Sequence, residues 1–384
     1  MEMMKAIQVM AVRRRALVHL RSVSFLAYIT FITFVTFVTA PARSRGAEVD
    51  YPPVVPGYTI RFPFDEGSHP AFRTEWWYVT GWLTDERGEE RGFQVTFFRS
   101  RSGLDERNPS HFAAKQLLFA HAAISDPKRS QLLHAERSAR AGFGLAEAQE
   151  GDLAVHIDDW FLRREANGRY RTLIAAERFA IDLEFRLAQP PLLQGENGFS
   201  QKGPDSKSAS YYYSLPHLQA AGELRVDGQR YEVGGIAWFD HEWSSQLLDE
   251  AAVGWDWIGL SFDDGAAVAS AQIRDKDGGE HWAGGSWRAA PTAPVRTFPP
   301  QQVSWKRGRR WRSSRSGIEY PVEWRITLGE RTLTIKPLMD DQENDARGST
   351  GSIYWEGAVR AFDENGVQVG KGYLELTGYG RSDP

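Results

Sequence analysis

Beyond Tyr58 the chain reads as short β-prone runs cut by turns that demand positive φ, and this rhythm constrains the fold more than any other feature. Asn167-Gly168, Asp227-Gly228, Asp264-Gly265, Asp277-Gly278 and Asn365-Gly366 each supply the residues that tight hairpin turns favour. Leu224-Arg225-Val226 and Tyr231-Glu232-Val233 bracket one of them, and Val322, Trp324 and Ile326 alternate with Glu323 and Arg325 elsewhere. Hardly any run has a helical period. Many short strands at this spacing predict an all-β barrel or sandwich.

A second pattern divides the chain. Glu75-Trp76-Trp77-Tyr78-Val79-Thr80-Gly81-Trp82-Leu83 is followed, after a charged turn, by Phe93-Gln94-Val95-Thr96-Phe97-Phe98; much later, Gly254-Trp255-Asp256-Trp257-Ile258-Gly259-Leu260 is followed, after Asp263-Asp264-Gly265, by residues 266–274. Two Trp-rich strands, each with a polar turn and a second strand, point to a duplicated domain. The Pro-bearing stretches 189–208 and 290–301 read as long loops, of the kind that cover a ligand mouth on a barrel rim.

The N-terminus is of another kind. Lys5, Arg13, Arg14, Arg15 and Arg21 precede a nineteen-residue stretch, 22–40, that is apolar apart from Ser and Thr. That is the order of a secretory signal, with small residues at Ala40-Pro41-Ala42 and at Ala47 offering two places to cut. The alternative is an uncleaved membrane anchor, since about 20 residues span a bilayer. The expected division is 1–47 as signal peptide and short linker, 48–246 as one barrel domain and 247–384 as another, in a periplasmic or secreted protein. There is no Cys, so the folded part holds together by burial without disulfides. Beyond residue 47 the chain has 39 basic and 49 acidic residues, a formal charge of −10, which argues against nucleic acid as a partner. One basic run, 306–315 with six Lys or Arg in ten, reads as a solvated loop ahead of a lipid-headgroup or anion site.

Motifs in a fixed order carry a resemblance. Phe72-Arg73-Thr74-Glu75-Trp76-Trp77-Tyr78, Phe119-Ala120-His121-Ala122-Ala123-Ile124-Ser125-Asp126, Ser210-Tyr211-Tyr212-Tyr213-Ser214, Ala237-Trp238-Phe239-Asp240-His241-Glu242-Trp243-Ser244-Ser245, Gly254-Trp255-Asp256-Trp257, Tyr354-Trp355-Glu356-Gly357 and Gly372-Tyr373-Leu374-Glu375-Leu376-Thr377-Gly378-Tyr379 together resemble the AttH and carotenoid 1,2-hydratase (CrtC-like) family of lipocalin-like proteins. The resemblance spans roughly 58–380 and implies two tandem lipocalin-like (calycin) β-barrels with an apolar cavity or cleft near their junction. It also implies a range of roles, from alkene hydration to periplasmic members of unknown activity, some associated with ABC-transporter permeases.

Adding water to an isolated double bond needs a proton donor kept neutral by burial and aromatic faces to stabilise a cation. Asp240, among Trp238, Phe239 and Trp243, occupies the place of the acid proposed for the hydratase branch, and His241 is expected to orient it or to activate water. The chain departs from that branch in having Trp238-Phe239 where a Tyr-His pair stands and Glu242 where an Asn stands. The competing reading makes Asp240 an anchor held by backbone N–H groups and an Arg. Regular alternation places Glu75, Trp77, Val79 and Gly81 on one face of their strand and Trp76, Tyr78, Thr80 and Trp82 on the other. Glu75 is expected to pair with Arg73 or Arg99. Asp256 opposes Trp255 and Trp257, and His121 reads as a satisfied core histidine before a base.

Hydrolysis ranks last. Gly284-Gly285-Ser286-Trp287-Arg288 fails the Gly-x-Ser-x-Gly elbow at its last position, and Ser245 stands where the second His of a zincin string beginning at His241-Glu242 would be. No metal or other cofactor is expected. Two classes remain: a module that binds a hydrophobic small molecule through Glu75, Trp77, Tyr78, His121, Tyr212, Trp238, Trp243, Trp255, Trp257, Tyr354 and Tyr373, and an acid-catalysed hydro-lyase or isomerase using Asp240 and His241 in the same cavity. A structural accessory to a transporter is a third. Contact with a membrane is expected only through an uncleaved leader.

Overall fold

A computed structural model describes residues 49–380 apart from Glu106, so the leader lies outside the described residues. Among those described, no helix is long and apolar enough to cross a membrane.

The chain forms two antiparallel barrels. In the first sheet, of 13 strands, the order runs Leu133–Arg140, Gln116–Ser125, Glu90–Arg101, Thr74–Asp85, Gln229–Gln246, Ala209–Val226, Phe179–Arg186, Tyr170–Ala175, Trp160–Arg164, Ala154–Ile157 and Ala146–Ala148. Its two ends meet. Gly142 N donates to Ala146 O at 2.9 Å, Arg137 Nη1 donates to Ile157 O at 3.2 Å, and the Arg137 guanidinium lies 4.5 Å from the Trp160 ring centroid. The second sheet, of 10 strands, begins with Val295–Phe298, Glu280–Arg288 and Ala267–Asp275, has Ala252–Phe262, Gln368–Leu376 and Ser352–Phe362 at its centre, and ends with Arg331–Pro337, Trp324–Leu328 and Val303–Arg307. A 3₁₀ turn, Pro300–Gln302, brings its two ends together. The Trp-rich strands of the repeat hold equivalent places: Thr74–Asp85 and Ala252–Phe262 each pair with the hairpin strand that follows and with the last strand of their own sheet.

Strand alternation decides what each barrel encloses. Trp77, Val79 and Leu83 of Thr74–Asp85 join Phe239 and Trp243 of Gln229–Gln246 and Tyr211 and Tyr213 of Ala209–Val226 in the first core. Ile258 and Leu260 join Trp305, Trp324, Trp355 and Leu374 in the second. Both interiors are therefore filled by side chains. The intervening residues, Tyr78, Trp82 and Trp238 from the first barrel and Trp257, Ala358 and Tyr373 from the second, form a separate buried cluster where the outer faces of the barrels meet.

Close approach across this seam depends on missing side chains. A Cβ at Gly259 would lie 2.5 Å from the Trp257 ring and 3.0 Å from that of Trp238, so the bare backbone lets one indole lie against the other. A Cβ at Gly92 would meet Ala358 Cβ and the Tyr373 hydroxyl, both at 2.6 Å. The seam's edge is polar: Trp82 Nε1 donates to Gly372 O at 3.0 Å, and Glu90 accepts from both Arg360 and Lys371.

Two readings of the connections need correction. Stretch 189–208 carries short strands, Leu192–Leu193 and Phe199–Gln201, paired to Ala209–Val226, and it is pinned to the second barrel by Arg288, which donates to Pro190 O and to Gln189 Oε1, each at 2.8 Å. Stretch 290–301 contains Val295–Phe298, an edge strand. Apolar side chains such as Leu192 found burial against the other barrel, which a single-chain reading of Pro content does not reveal. The basic run 306–315 is likewise partly strand, with Arg309, Arg310 and Arg315 paired to Asp340, Glu319 and Asp341.

Candidate functional site at the barrel junction

The expected site residues separate into two groups on opposite faces of the same strands. Glu75, Trp77, His241 and Trp243 point into the first barrel. Tyr78, His121, Tyr212, Trp238, Asp240, Trp255, Trp257, Tyr354 and Tyr373 face the seam. Asp240 and His241 are sequence neighbours on one strand, so the pleat sends them apart. His241 therefore neither orients Asp240 nor delivers water to it.

Inside the barrel, Glu75 is the hub of a buried network. Its Oε2 accepts from Arg99 Nε at 2.8 Å, so of the two expected partners Arg99 is the one that pairs. Its Oε1 accepts from His241 Nε2 at 2.9 Å and from His69 Nδ1 at 2.8 Å. His69 stacks on Trp243 with ring centroids 3.9 Å apart, and Trp77 stacks on His241 at 5.0 Å. Burial alone would push the Glu75 carboxyl up, but Arg99, His69 and the His241 hydrogen bond hold it well below its ordinary value. Burial pulls His69 down and is outweighed by Glu75 and Asp65, so its pKa rises, whereas for His241 burial wins and the ring is held neutral. The ligand atoms of His69, Glu75 and His241 lie within 4.8 Å of one another, a spacing that a metal ion could bridge. The Arg99 guanidinium on the same carboxylate opposes a cation there.

The seam has different electrostatics. Asp240, 3 % exposed, accepts from Ser214 Oγ at 2.5 Å and Trp238 Nε1 at 2.7 Å through Oδ1, and from the Tyr212 hydroxyl at 2.8 Å through Oδ2. Among the described residues these hydrogen-bond partners are all neutral side chains, in place of the Arg and backbone N–H groups of the anchor reading. Trp257 Nε1 of the second barrel donates to Tyr212 Oη at 3.0 Å, so a chain of donors runs from one barrel to the acid of the other. Burial raises the Asp240 pKa, the three hydrogen bonds lower it and Glu242 raises it again, leaving it pushed up to about 7. Oδ2 takes one donor where Oδ1 takes two, and so keeps a lone pair for a proton. Trp257 approaches Tyr78 edge-on at 5.4 Å and Trp238 at 6.4 Å, setting aromatic faces around the acid.

Three more carboxyls converge on the seam. Glu242 is ion-paired to Lys202 at 2.9 Å. Glu375 accepts from Trp255 Nε1 at 2.8 Å, and burial with the nearby Glu242 and Asp256 pushes it up to about 7. Glu356 is raised well above its ordinary value by burial and by Glu375. Glu356 and Glu375 are cross-strand partners and therefore side by side. Sequence reasoning passed over both as site residues, although each is a Glu flanked by buried neighbours, Trp355 and Gly357 or Leu374 and Leu376, within a strand. His69, in a loop without periodicity, left no comparable signal. His121 is satisfied, its Nδ1 against Tyr354 Oη at 2.8 Å and its Nε2 against Ser349 Oγ at 3.0 Å; burial lowers it to about 3, so it stays neutral.

Known proteins share this architecture. The AttH-like family profile matches residues 53–379. A crystal structure described as an AttH from Nitrosomonas europaea is similar at 51 % identity and a TM-score of 0.80, covering 85 % of this chain and 99 % of that one. Kievitone hydratase from Nectria haematococca is similar in fold at 12 % identity and a TM-score of 0.65, covering 85 % of this chain and 95 % of that one. CghA with Sch210972 is similar at 13 % identity and a TM-score of 0.51, covering 80 % and 90 %. No protein of curated function matches the chain. With a family profile across nearly all of its described length and a 51 % identical relative of the same fold, this two-barrel chain belongs to the AttH-like family.

Proposed function

We propose that the barrel junction binds an apolar ligand of lipid, terpenoid or polyene type and that Asp240 exchanges a proton with it, as the acid of a hydratase, lyase or isomerase. The observation that carries this reading is a buried carboxyl whose hydrogen-bond partners among the described residues are all neutral donors, and which burial pushes up to about 7. Such a group is available as an acid and as its conjugate base at neutral pH. In hydration, the Oδ2 proton adds to one alkene carbon and the neighbouring carbon becomes a cation facing Trp238, Trp257 and Tyr78. Water then adds through oxygen and returns a proton to the Asp240 carboxylate. The reverse sequence removes water.

Binding without conversion is the second reading, favoured by the degree to which three donors already satisfy Asp240. The test is Asp240→Asn, which keeps the size and removes the transferable proton, assayed on the ligand extracted from the purified parent protein. Conversion lost with melting unchanged supports proton transfer; unchanged conversion rejects it; a ligand held by the parent but never converted leaves binding alone. The basic-then-apolar leader supports a periplasmic or secreted setting, where the ligand would pass to or from an envelope transporter. N-terminal sequencing of the mature chain checks the location, with a start near Arg43 or Glu48 expected.

A further inference from the structure

At the end of the first barrel where the described chain begins, large apolar side chains stand in solvent. Phe112 is 71 % exposed and Phe143 56 %, and Leu104 and Leu145, from the same two loops, are exposed as well. Phe112 lies in the loop that joins Glu90–Arg101 to Gln116–Ser125, and Phe143 in the turn after Leu133–Arg140, yet the two rings stack with centroids 5.4 Å apart. Core packing explains neither position. The φ of Phe143 is 59°, between Gly142 at 100° and Gly144 at 71°, a left-handed backbone that is costly for a bulky residue and that persists chiefly where a function requires it. Single exposed apolar side chains are ordinary, but a stacked aromatic pair from two loops at one end of a barrel points to an interaction surface.

Charge and chain path say what that surface meets. The Arg140 guanidinium lies 5.3 Å from the Phe112 ring centroid and 4.6 Å from that of Phe143. It donates to Phe112 O at 2.8 Å and has no carboxylate partner among the described residues. A cation beside apolar rings suits the boundary of a bilayer, where the rings leave water and the charge stays at the level of the headgroups. Segments 50–51, 101–115 and 140–147, with Arg73, hold five Lys or Arg and four Asp or Glu, a slight positive balance in a chain whose formal charge beyond residue 47 is −10. The chain also enters here. Arg101 Nη1, at the base of the Phe112 loop, donates to Asp50 O at 3.2 Å, and its guanidinium lies 5.2 Å from the Tyr51 ring centroid. Residues 41–48, between the apolar stretch 22–40 and the described chain, span no more than about 30 Å, so a retained leader keeps this end of the barrel within that reach of the bilayer.

We propose that this end of the first barrel docks on a phospholipid surface, with Phe112 and Phe143 entering the interface and Arg140 meeting a lipid phosphate. Leu104 and Leu145 widen the apolar contact. The folded barrel itself then takes part in membrane contact, in addition to any leader. The docking face uses none of the seam residues, so the inference stands or falls independently of Asp240 and of any ligand at the junction.

The chain has no Cys, so a single introduced thiol carries a single environment-sensitive dye. Full-length protein labelled through Leu104→Cys, with vesicles of phosphatidylcholine and phosphatidylglycerol, should shift its emission to the blue and lose most of its intensity to a nitroxide placed on the lipid acyl chains. The same dye at Val367→Cys should do neither. Val367 is exposed on a turn of the second barrel whose strands meet Glu90, at the far end of Glu90–Arg101 from the Phe112 loop. Phe112→Asp combined with Phe143→Asp, in protein that melts like the parent, should abolish both responses at position 104, even where the leader keeps the chain on the vesicles. A dye at 104 that behaves like the one at 367, or a response unaltered by the paired Asp change, would overturn the proposal. So would a blue shift without vesicles in protein of dimer mass, which would give the face to a second copy of the chain.

Discussion

Replacing Arg99 by Met should be among the most destabilising single changes in the first barrel. Arg99 is 2 % exposed and donates to Glu75 Oε2, to Gln116 Oε1 at 2.8 Å and to the carbonyls of His69 and Phe72 at 3.0 and 3.1 Å. Methionine fills much of the volume but leaves Glu75, which is fully buried, with His69, His241, Ser68 and the His69 backbone N–H for support. Removing one partner of a buried ion pair costs roughly 3–5 kcal/mol. At about 2–4 °C per kcal/mol for a unit of this size, the melting temperature should fall by roughly 6–20 °C. Glu75→Gln in the same background should recover a substantial part, because the stranded charge is then gone. Thermal unfolding followed by circular dichroism on both single variants and the double variant gives the coupling. The Glu75 pKa is depressed on folding, so its stabilisation is present above the ordinary Glu range and is lost as pH falls through the folded value. Arg99→Met should weaken that acid dependence. A loss below about 1 kcal/mol, the range of an exposed pair, with single-variant effects that simply add, would refute the hub role of Glu75.

Two further outcomes follow from the seam. Trp82→Ala removes a buried indole and its hydrogen bond to Gly372 O, and should cost roughly 3–5 kcal/mol while splitting calorimetric unfolding into two transitions as the barrels uncouple; a single transition of unchanged midpoint would contradict the shared cluster. Asp240, raised to about 7 in the fold, binds more protons folded than unfolded between roughly pH 4 and 7, so its contribution makes stability fall as pH rises through that window. Asp240→Asn should abolish that fall, and an unchanged pH–stability profile would count against a neutral buried acid.

Much of the architecture was legible because alternation and turn chemistry are local. Asn-Gly and Asp-Gly turns, with the repeated Trp strands, suffice to indicate barrels and their duplication. The two faces of Thr74–Asp85 also fell as the pattern predicts, with Trp77 and Val79 inward and Tyr78 and Trp82 outward. The same rule, applied to Asp240 and His241, would have separated them, since adjacent strand residues cannot serve one site from one face. Glu356 and Glu375 were harder to find, because a barrel's outer face is ordinarily wet. Their burial is created by the other barrel, a tertiary event that neither strand's own pattern encodes. The short strands in 189–208 were hidden for the same reason: Leu192 is buried by its partner barrel.

The central claim is that burial lifts Asp240 far enough to exchange a proton near neutral pH, and it can be read directly. Protein carrying ¹³C-labelled aspartate, titrated by NMR with the Asp240 carboxyl resonance assigned by its loss in Asp240→Asn, should show that carboxyl titrating near pH 7, well above the ordinary range. Transfer of the midpoint further upward on adding an apolar ligand would agree with deeper burial at the junction. A midpoint at or below the ordinary aspartate value of about 3.9 would make Asp240 an ionised anchor and contradict the account.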